Sequence, residues 1–249
     1  MRITLLNIQE PGDNKDYNGG FGTTWQIGNS LLSKILKTMR SKGEYFPLVS
    51  YGYLAAILKN NGHEVKFVEN KIPENTDLII LHTSPIRHRK EMETLKKIRE
   101  NGKTKIGIIG PFASVKPELF QEYSDFIIIG EPEQAISKIK DKTPQGLIRS
   151  EPVKDLDSLP YPDWSIFPHE EFSCKFIIPK KPFIFITASR GCPYTCYYCP
   201  YKVFGLYRTR DPSKVVDEIE QLKNKYGIKG MVFRDPMFGL DRTRTENIA

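Results

Sequence analysis

Pro182-Phe-Ile-Phe-Ile-Thr-Ala-Ser-Arg-Gly-Cys-Pro-Tyr-Thr-Cys-Tyr-Tyr-Cys199 is an apolar run that ends in three cysteines, and it decides the fold of the second part of the chain. Residues 182–188 have the length and apolar character of a strand, and the cysteines follow at its carboxyl end, where barrel folds carry their reactive loops. Cys192, Cys196 and Cys199 form a C-x3-C-x2-C cluster and are three of only four cysteines in 249 residues. Three thiolates on so short a loop suit one soft metal centre, with Gly191 and Pro193 shaping the backbone. A purely electron-transferring iron–sulfur cluster usually takes four thiolates, so a cluster held by three leaves one iron open to a small molecule. A zinc site needs a closed shell, and the nearest spare ligands, Cys174 and His169, lie upstream outside the usual paired spacing. A disulfide is weaker still, since nothing marks the chain as secreted.

Downstream of the cysteines the sequence predicts a helix. Asp211 serves as its cap, Pro212 fits the first turn, Val215, Ile219, Leu222 and Tyr226 line one face, and Gly227 ends it. A strand over 230–234 follows and runs into Asp235-Pro-Met-Phe238. Upstream, residues 171–178 read as a further strand, and Pro152, Pro160, Pro162 and Pro168 punctuate a stiff, extended connector.

The first 150 residues alternate short apolar runs with helical patterns, the signature of a parallel sheet flanked by helices. Strands are expected over 2–8, 64–70, 77–83, 105–109 and 125–129. Tyr51, Leu54, Ala55 and Leu58 repeat at helical spacing before Asn61-Gly62, a second helix covers 88–100, and shorter ones follow Pro117 and Pro132. Ligands of such a sheet bind at the carboxyl ends of its strands, which singles out Thr83, Ser84, Gly110, Pro111, Gly130 and Glu131. The long connection over residues 9–47 carries an apolar stripe at Leu32, Ile35, Leu36 and Met39, and is either a lid over that edge or a packed insertion. His63 is expected to be solvated at a helix-to-strand corner, and His82 to be packed and neutral.

Arg190-Gly191-Cys192-Pro193 followed by Cys196 and Cys199, with Tyr198 before the last cysteine, resembles the signature of the radical S-adenosylmethionine superfamily. The resemblance implies a [4Fe-4S] cluster on the three cysteines, with S-adenosylmethionine chelated to the open iron and cleaved by one electron to a 5′-deoxyadenosyl radical. It further implies that Tyr198 lies against the adenine and that Asp235 binds the amino end of S-adenosylmethionine. Residues 1–150 are similar to the cobalamin-binding domain that precedes many such cores, and 151–170 to their linker. The implied architecture is α/β: a flavodoxin-like (Rossmann-like) parallel-sheet domain over 1–150, a proline-rich linker over 151–170, and the start of a radical SAM (β/α) partial barrel over 171–249. Cobalamin would meet the six edge residues named above. Histidine ligation from the mutase-type motif is not implied, because residues 9–47 contain no histidine.

The net charge of +7 invites a nucleic-acid reading, but Lys96, Lys97 and Arg99 alternate with Met92, Leu95 and Ile98 as the wet face of an amphipathic helix. With no basic leader and no run of transmembrane length, a cytoplasmic protein is expected. Its expected partners are a small-molecule substrate, an electron donor of flavodoxin or ferredoxin type, and the rest of the barrel, since the sequence ends fifty residues after Cys199. No catalytic residue is assigned in this chain. Methyl transfer is the commonest reaction of the implied pairing, and rearrangement or ring chemistry is equally consistent. The alternatives are a cofactor-binding or scaffold fragment with a vestigial cysteine loop, and a methylthiotransferase-like RNA modifier. The absence of cysteine from residues 1–173 counts against the latter.

Overall fold

The structure is a computed structural model that describes residues 1–9, 13–15, 23–24, 28–102, 104–174, 180–197, 199 and 205–249. In chain order the elements begin with β1 (Arg2–Asn7), β2 (Asp13–Asn14), β3 (Thr23–Thr24), α1 (Leu31–Gly43), β4 (Glu44–Tyr45), α2 (Val49–Asn60) and β5 (Glu64–Glu69). They continue with β6 (Leu78–His82), α3 (His88–Asn101), β7 (Lys105–Ile109), α4 (Pro111–Val115), β8 (Phe126–Gly130), α5 (Glu133–Ile136) and β9 (Gly146–Ser150). Two 3-10 turns, Leu156–Ser158 and Trp164–Ile166, lead to β10 (Ser173–Cys174), β11 (Phe183–Ile186), β12 (Ser189–Arg190), β13 (Arg208–Thr209), α6 (Pro212–Tyr226), β14 (Gly230–Phe233) and α7 (Arg242–Ile248).

Six strands form one all-parallel sheet in the order β5-β1-β6-β7-β8-β9. Helices cover both faces, so the central strands are apolar in consecutive positions rather than alternate ones. Leu78 and Ile80 pack with Leu54 and Leu58 of α2 on one face, while Ile79 and Leu81 pack with Leu95 and Ile98 of α3 on the other. The five expected strands are all present, and the sixth, β9, is one the apolar pattern does not announce. It is an edge strand, largely exposed along Gly146–Ser150, with no apolar face to make it visible in the sequence. The segment after Pro117 forms two 3-10 turns, Pro117–Leu119 and Gln121–Tyr123, rather than an α-helix.

The proline-rich segment is packed rather than free. A Cβ on Gly52 would lie 2.8 Å from Cβ of Pro162, and the Asp163 N–H donates to the Gly52 carbonyl at 2.9 Å, so α2 and the connector meet backbone to backbone. Trp164, Phe167 and Phe172 are buried between them, and their cluster continues into Phe183 and Phe185 of β11. Strands β4 and β10 pair antiparallel across the same seam.

β11 and β14 pair in parallel with α6 between them in sequence, which gives one β-α-β unit of the expected barrel. The α6 boundaries are as the sequence predicts. Asp211 Oδ1 accepts from the Ser213 N–H at 2.8 Å, Pro212 opens the helix, and Gly227 closes it with φ of 60°. Residues 175–178 of the predicted strand over 171–178 lie outside the described residues. No helix among the described residues is long and apolar enough to cross a membrane.

Gly107 lies in the middle of β7, where an added Cβ would run into the ring of buried Phe126. Gly107→Ala is therefore expected to destabilise the fold by ~1–3 kcal/mol in urea denaturation. A double-mutant cycle with Phe126→Leu is expected to recover part of that loss by vacating the ring's space.

Candidate functional site

The cysteine loop leaves the carboxyl end of β11 through Thr187 and Ala188 and is closed at its base by β12 and β13. Those strands pair antiparallel with Ser189 opposite Thr209 and Arg190 opposite Arg208. Gly191 turns the chain at φ of 76°, and a Cβ there would collide with the Leu206 carbonyl and lie 2.9 Å from that of Gly205. Only glycine lets the two sides of the loop come so close. Cys192, Cys196 and Cys199 are all free thiols, Cys196 exposed and the other two half-buried, and the Cys199 N–H closes a turn onto the Cys196 carbonyl at 3.1 Å.

Among the described residues no group of three or more His, Cys, Asp and Glu side chains is gathered for a single metal ion. An iron–sulfur cluster takes one thiolate per iron, so its ligands stand further apart than those of one ion. Three unpaired thiols on a loop clasped at its base match the number a three-thiolate cluster takes and are one short of a closed zinc shell. His169, the spare zinc ligand of the sequence, is turned elsewhere, its ring packed on Tyr226 with centroids 4.8 Å apart. Tyr198 lies outside the described residues.

Asp235 sits where β14 ends, beside the start of the loop. Its Oδ1 accepts from the Ala188 and Ser189 N–H groups at 2.8 and 2.9 Å, which ties the ends of β11 and β14 together. Its Oδ2 is buried without a hydrogen-bond partner among the described residues, and so are Ser189 Oγ and Arg244 Nη1. Arg244 is anchored by its other nitrogens, which donate to the carbonyls of Ala188 at 2.5 Å and Arg210 at 3.2 Å. An acceptor and two donors thus stand unsatisfied around Ala188 and Ser189, a pattern that buried polar atoms avoid unless a ligand completes it. Burial pushes the Asp235 carboxyl up to about 6, against the opposing pull of the two backbone N–H groups and of Arg244 and Arg210.

Thr83, Ser84, Gly110, Pro111, Gly130 and Glu131 are brought together on one sheet edge, at the ends of the adjacent strands β6, β7 and β8. Several are already committed to the fold. Thr83 Oγ1 donates to the Ile109 carbonyl and accepts from the Ala113 N–H, both at 3.0 Å. Gly110 and Gly130 have positive φ, and a Cβ on them would lie 2.6 Å from the carbonyls of Thr83 and Ser150, so glycine there serves the chain's own close approaches. Pro111 opens α4 and is buried. The Ser84 N–H donates to Glu91 Oε2 at 3.1 Å.

The strand order reverses between β1 and β6, the point where ligands of such sheets usually enter. Here the gap is filled from within. Tyr51 Oη lies 2.5 Å from the Leu6 carbonyl as donor and accepts from the His82 N–H at 2.7 Å. Lys15, from the long connection, reaches over the edge to donate to the His82 carbonyl at 2.6 Å and to pair with Glu91 at 2.8 Å, with both side chains fully buried. Over this edge the connection is a packed insertion as far as Lys15 shows it. The stripe at Leu32, Ile35, Leu36 and Met39 is helical and exposed. His82 is packed and neutral as expected, its burial holding it down at about 3. His63 is not solvated: it is buried, with Nε2 3.1 Å from the Ile139 carbonyl and Nδ1 3.4 Å from the chain's own amino terminus.

Glu131 has a partner that its position in the sequence does not disclose. Its two oxygens receive both terminal nitrogens of Arg208, at 2.5 and 3.0 Å, and Oε2 also accepts the Val153 N–H at 2.9 Å. Beside it Glu133 accepts from Arg190 at 2.7 Å. Four buried charges, two of each sign, thus join the edge of the first sheet to the base of the cysteine loop. Lys15, Arg208 and Arg244 are the residues sequence reasoning missed; each makes its contact with a residue at least 34 positions away, beyond the reach of any local pattern.

No protein-family model matches the chain. It is 25% identical over 248 aligned residues to an uncharacterized methyltransferase of Pyrococcus horikoshii, covering 84% of this chain and 53% of that protein. It is 38% identical over 89 residues to the anaerobic magnesium-protoporphyrin IX monomethyl ester cyclase of Cereibacter sphaeroides, covering 33% and 13%. The chain thus spans about half the length of the first of these relatives, and less of the second. Among solved structures, the radical S-adenosylmethionine methyltransferase TsrM from Kitasatospora setae has the same fold. With cobalamin and a [4Fe-4S] cluster bound it matches 99% of this chain and 50% of its own at a TM-score of 0.60 and 16% identity. With tryptophan and aza-SAM bound it matches 100% and 50% at a TM-score of 0.61 and 17% identity.

The raised Asp235 carboxyl makes a stability prediction. Its folded value lies above its unfolded one, so its contribution is fully present below about pH 4 and is lost as pH rises through about 6, a span of ~2–3 kcal/mol. Asp235→Asn keeps the Oδ1 acceptor and removes the titration. Urea denaturation of both proteins is expected to show the variant gaining on the wild type by that amount between pH 4 and pH 7; a constant difference would contradict the burial of this carboxylate.

Proposed function

We propose that the chain is a member of the radical S-adenosylmethionine superfamily, in the branch that carries a cobalamin-type domain ahead of its core, and that it is the N-terminal portion of a cobalamin-dependent radical enzyme. In this reading residues 1–150 are the cobalamin domain, 151–170 the linker and 171–249 the first part of the barrel. The observation that carries the proposal is the clasped loop with three free thiols next to a buried, half-satisfied Asp235.

Cys192, Cys196 and Cys199, as thiolates, would hold a [4Fe-4S] cluster, and three protein ligands would leave one iron open to S-adenosylmethionine. Bound there, cluster and S-adenosylmethionine supply one-electron chemistry, and cobalamin supplies a carrier for a methyl group. The protein's own part is to bind and orient. Asp235 Oδ2 would accept from an N–H of the amino group of S-adenosylmethionine, and such a hydrogen bond favours the ionised carboxylate. Arg244 Nη1 and Ser189 Oγ offer donors to its carboxylate, and Tyr198 offers a ring to its adenine. The turns at Thr83–Ser84, Gly110–Pro111 and Gly130–Glu131 line the edge that faces cobalamin, largely through backbone groups, because the Thr83 and Glu131 side chains are already bonded within the fold.

Methyl transfer to a small molecule is the reaction we propose. The electron comes from a flavodoxin- or ferredoxin-type donor, and the cytoplasm is the compartment that keeps the thiols reduced.

Anaerobic reconstitution with iron and sulfide is expected to load about four irons per chain, with the broad visible absorbance of a cluster. Cys192→Ala, Cys196→Ala and Cys199→Ala are each expected to lose it; tight zinc with no iron would sink the assignment. Equilibrium dialysis against hydroxocobalamin is expected to show retention by the full chain, and none would reduce the first sheet to a scaffold.

A further inference from the structure

The cysteine loop has two base residues with charged side chains directed at the first sheet. Arg190 stands two positions before Cys192, and Arg208 lies opposite it across the β12–β13 ladder. Both guanidinium groups leave the loop and cross to the carboxyl edge of the sheet. Arg208 grips Glu131 with two nitrogens, at 2.5 and 3.0 Å, and also donates to the Val153 carbonyl at 2.5 Å. Arg190 Nη1 lies 2.7 Å from Glu133 and 3.7 Å from Glu131, and its guanidinium covers the ring of Tyr53 in α2, 4.9 Å from the centroid. The arginine side chains are 12% exposed and the glutamates 4% and 2%.

Glu131 follows β8 directly and Glu133 begins α5, so both carboxylates sit on the strand-to-helix turn that faces a ligand of the sheet. Planar, bidentate pairing in a dry site fixes direction as well as distance. The two glutamates also balance the two arginine charges at the foot of the loop.

We propose that Glu131 and Glu133 are positioning residues for the cysteine loop, acting through Arg208 and Arg190 to hold its metal centre in register with the carboxyl edge of the first sheet and to cancel the arginine charge beside it. The inference rests on the cluster assignment above. Neutralising either glutamate removes a negative charge from beside the loop, which favours the cluster's more negative, reduced state and raises its reduction potential.

The test uses the full chain, reconstituted anaerobically with iron and sulfide, in wild-type, Glu131→Gln, Glu133→Gln and Asp163→Asn forms. The last breaks the 2.6 Å Lys59–Asp163 pair between α2 and the connector and serves as the control for a merely structural loss. Redox titration followed by electron paramagnetic resonance is expected to give a more positive midpoint in both glutamine variants and the wild-type midpoint in Asp163→Asn. Wild-type midpoints in both glutamine variants, or the same shift in the control, would overturn the proposal. Hydrogen–deuterium exchange over residues 189–209 of the metal-free proteins provides a second reading that needs no cluster. Exchange is expected to quicken in the glutamine variants, or in Glu133→Asp should those fail to fold, and unchanged exchange would also overturn it. A wild-type chain that takes up no iron fails the cluster assignment alone, because the exchange experiment still decides the clamp.

Discussion

The buried aromatic seam formed by Trp164, Phe167 and Phe172 is the contact on which the placement of the rest depends. It lies between α2, which covers one face of the parallel sheet, and β11, whose end releases the cysteine loop. Phe46 joins it to both Phe183 and Phe185, with ring centroids 6.2 and 5.1 Å apart. Large rings buried this way contribute several kcal/mol each and have restricted ways to interlock, so the seam sets distance and angle together. The proline residues of the connector serve the same end by presenting Trp164 in a fixed direction and letting Pro162 meet α2 at Gly52.

With the apolar seam fixing the approach, charge fixes the detail. At the strand-order reversal Lys15 and Glu91 neutralise one another under the surface, and Tyr51 bridges the separating strands. Along the same edge Glu131 and Glu133 are matched to Arg208 and Arg190. Buried pairs of this kind contribute little net stability compared with an apolar filling, but they tolerate few alternative arrangements. Three of the buried polar atoms left without partners among the described residues, on Ser189, Asp235 and Arg244, lie beside the loop's first turn.

Much of this could be seen in the residues themselves. Continuous apolar runs announced the central strands, and Asp211, Pro212 and Gly227 announced both ends of α6, because in those cases the determining interaction lies within a few positions. The cysteine spacing announced the loop for the same reason. Features set by distant partners were invisible. His63 reads as a surface residue beside Asn61-Gly62, yet its ring is enclosed by the amino terminus and the Ile139 carbonyl, 62 and 76 positions away. Glu131 was identified by its place at a strand end, while its engagement is decided by Arg208, 77 positions later. The edge strand β9 had no apolar face to betray it.

The order of these pieces along the chain bears on how the protein is made. Glu131 and Glu133 precede Arg190 by more than fifty positions, and every strand of the six-stranded sheet precedes the connector. Chains emerge from the ribosome amino end first, and early units fold while later ones are still being added. The surface that receives the loop is therefore synthesised before the first of its cysteines, and Arg208, which completes the clasp, follows the last of them by nine positions. Vectorial synthesis spares three neighbouring thiols a period in an unstructured chain, where oxidation and mispairing compete with metal capture.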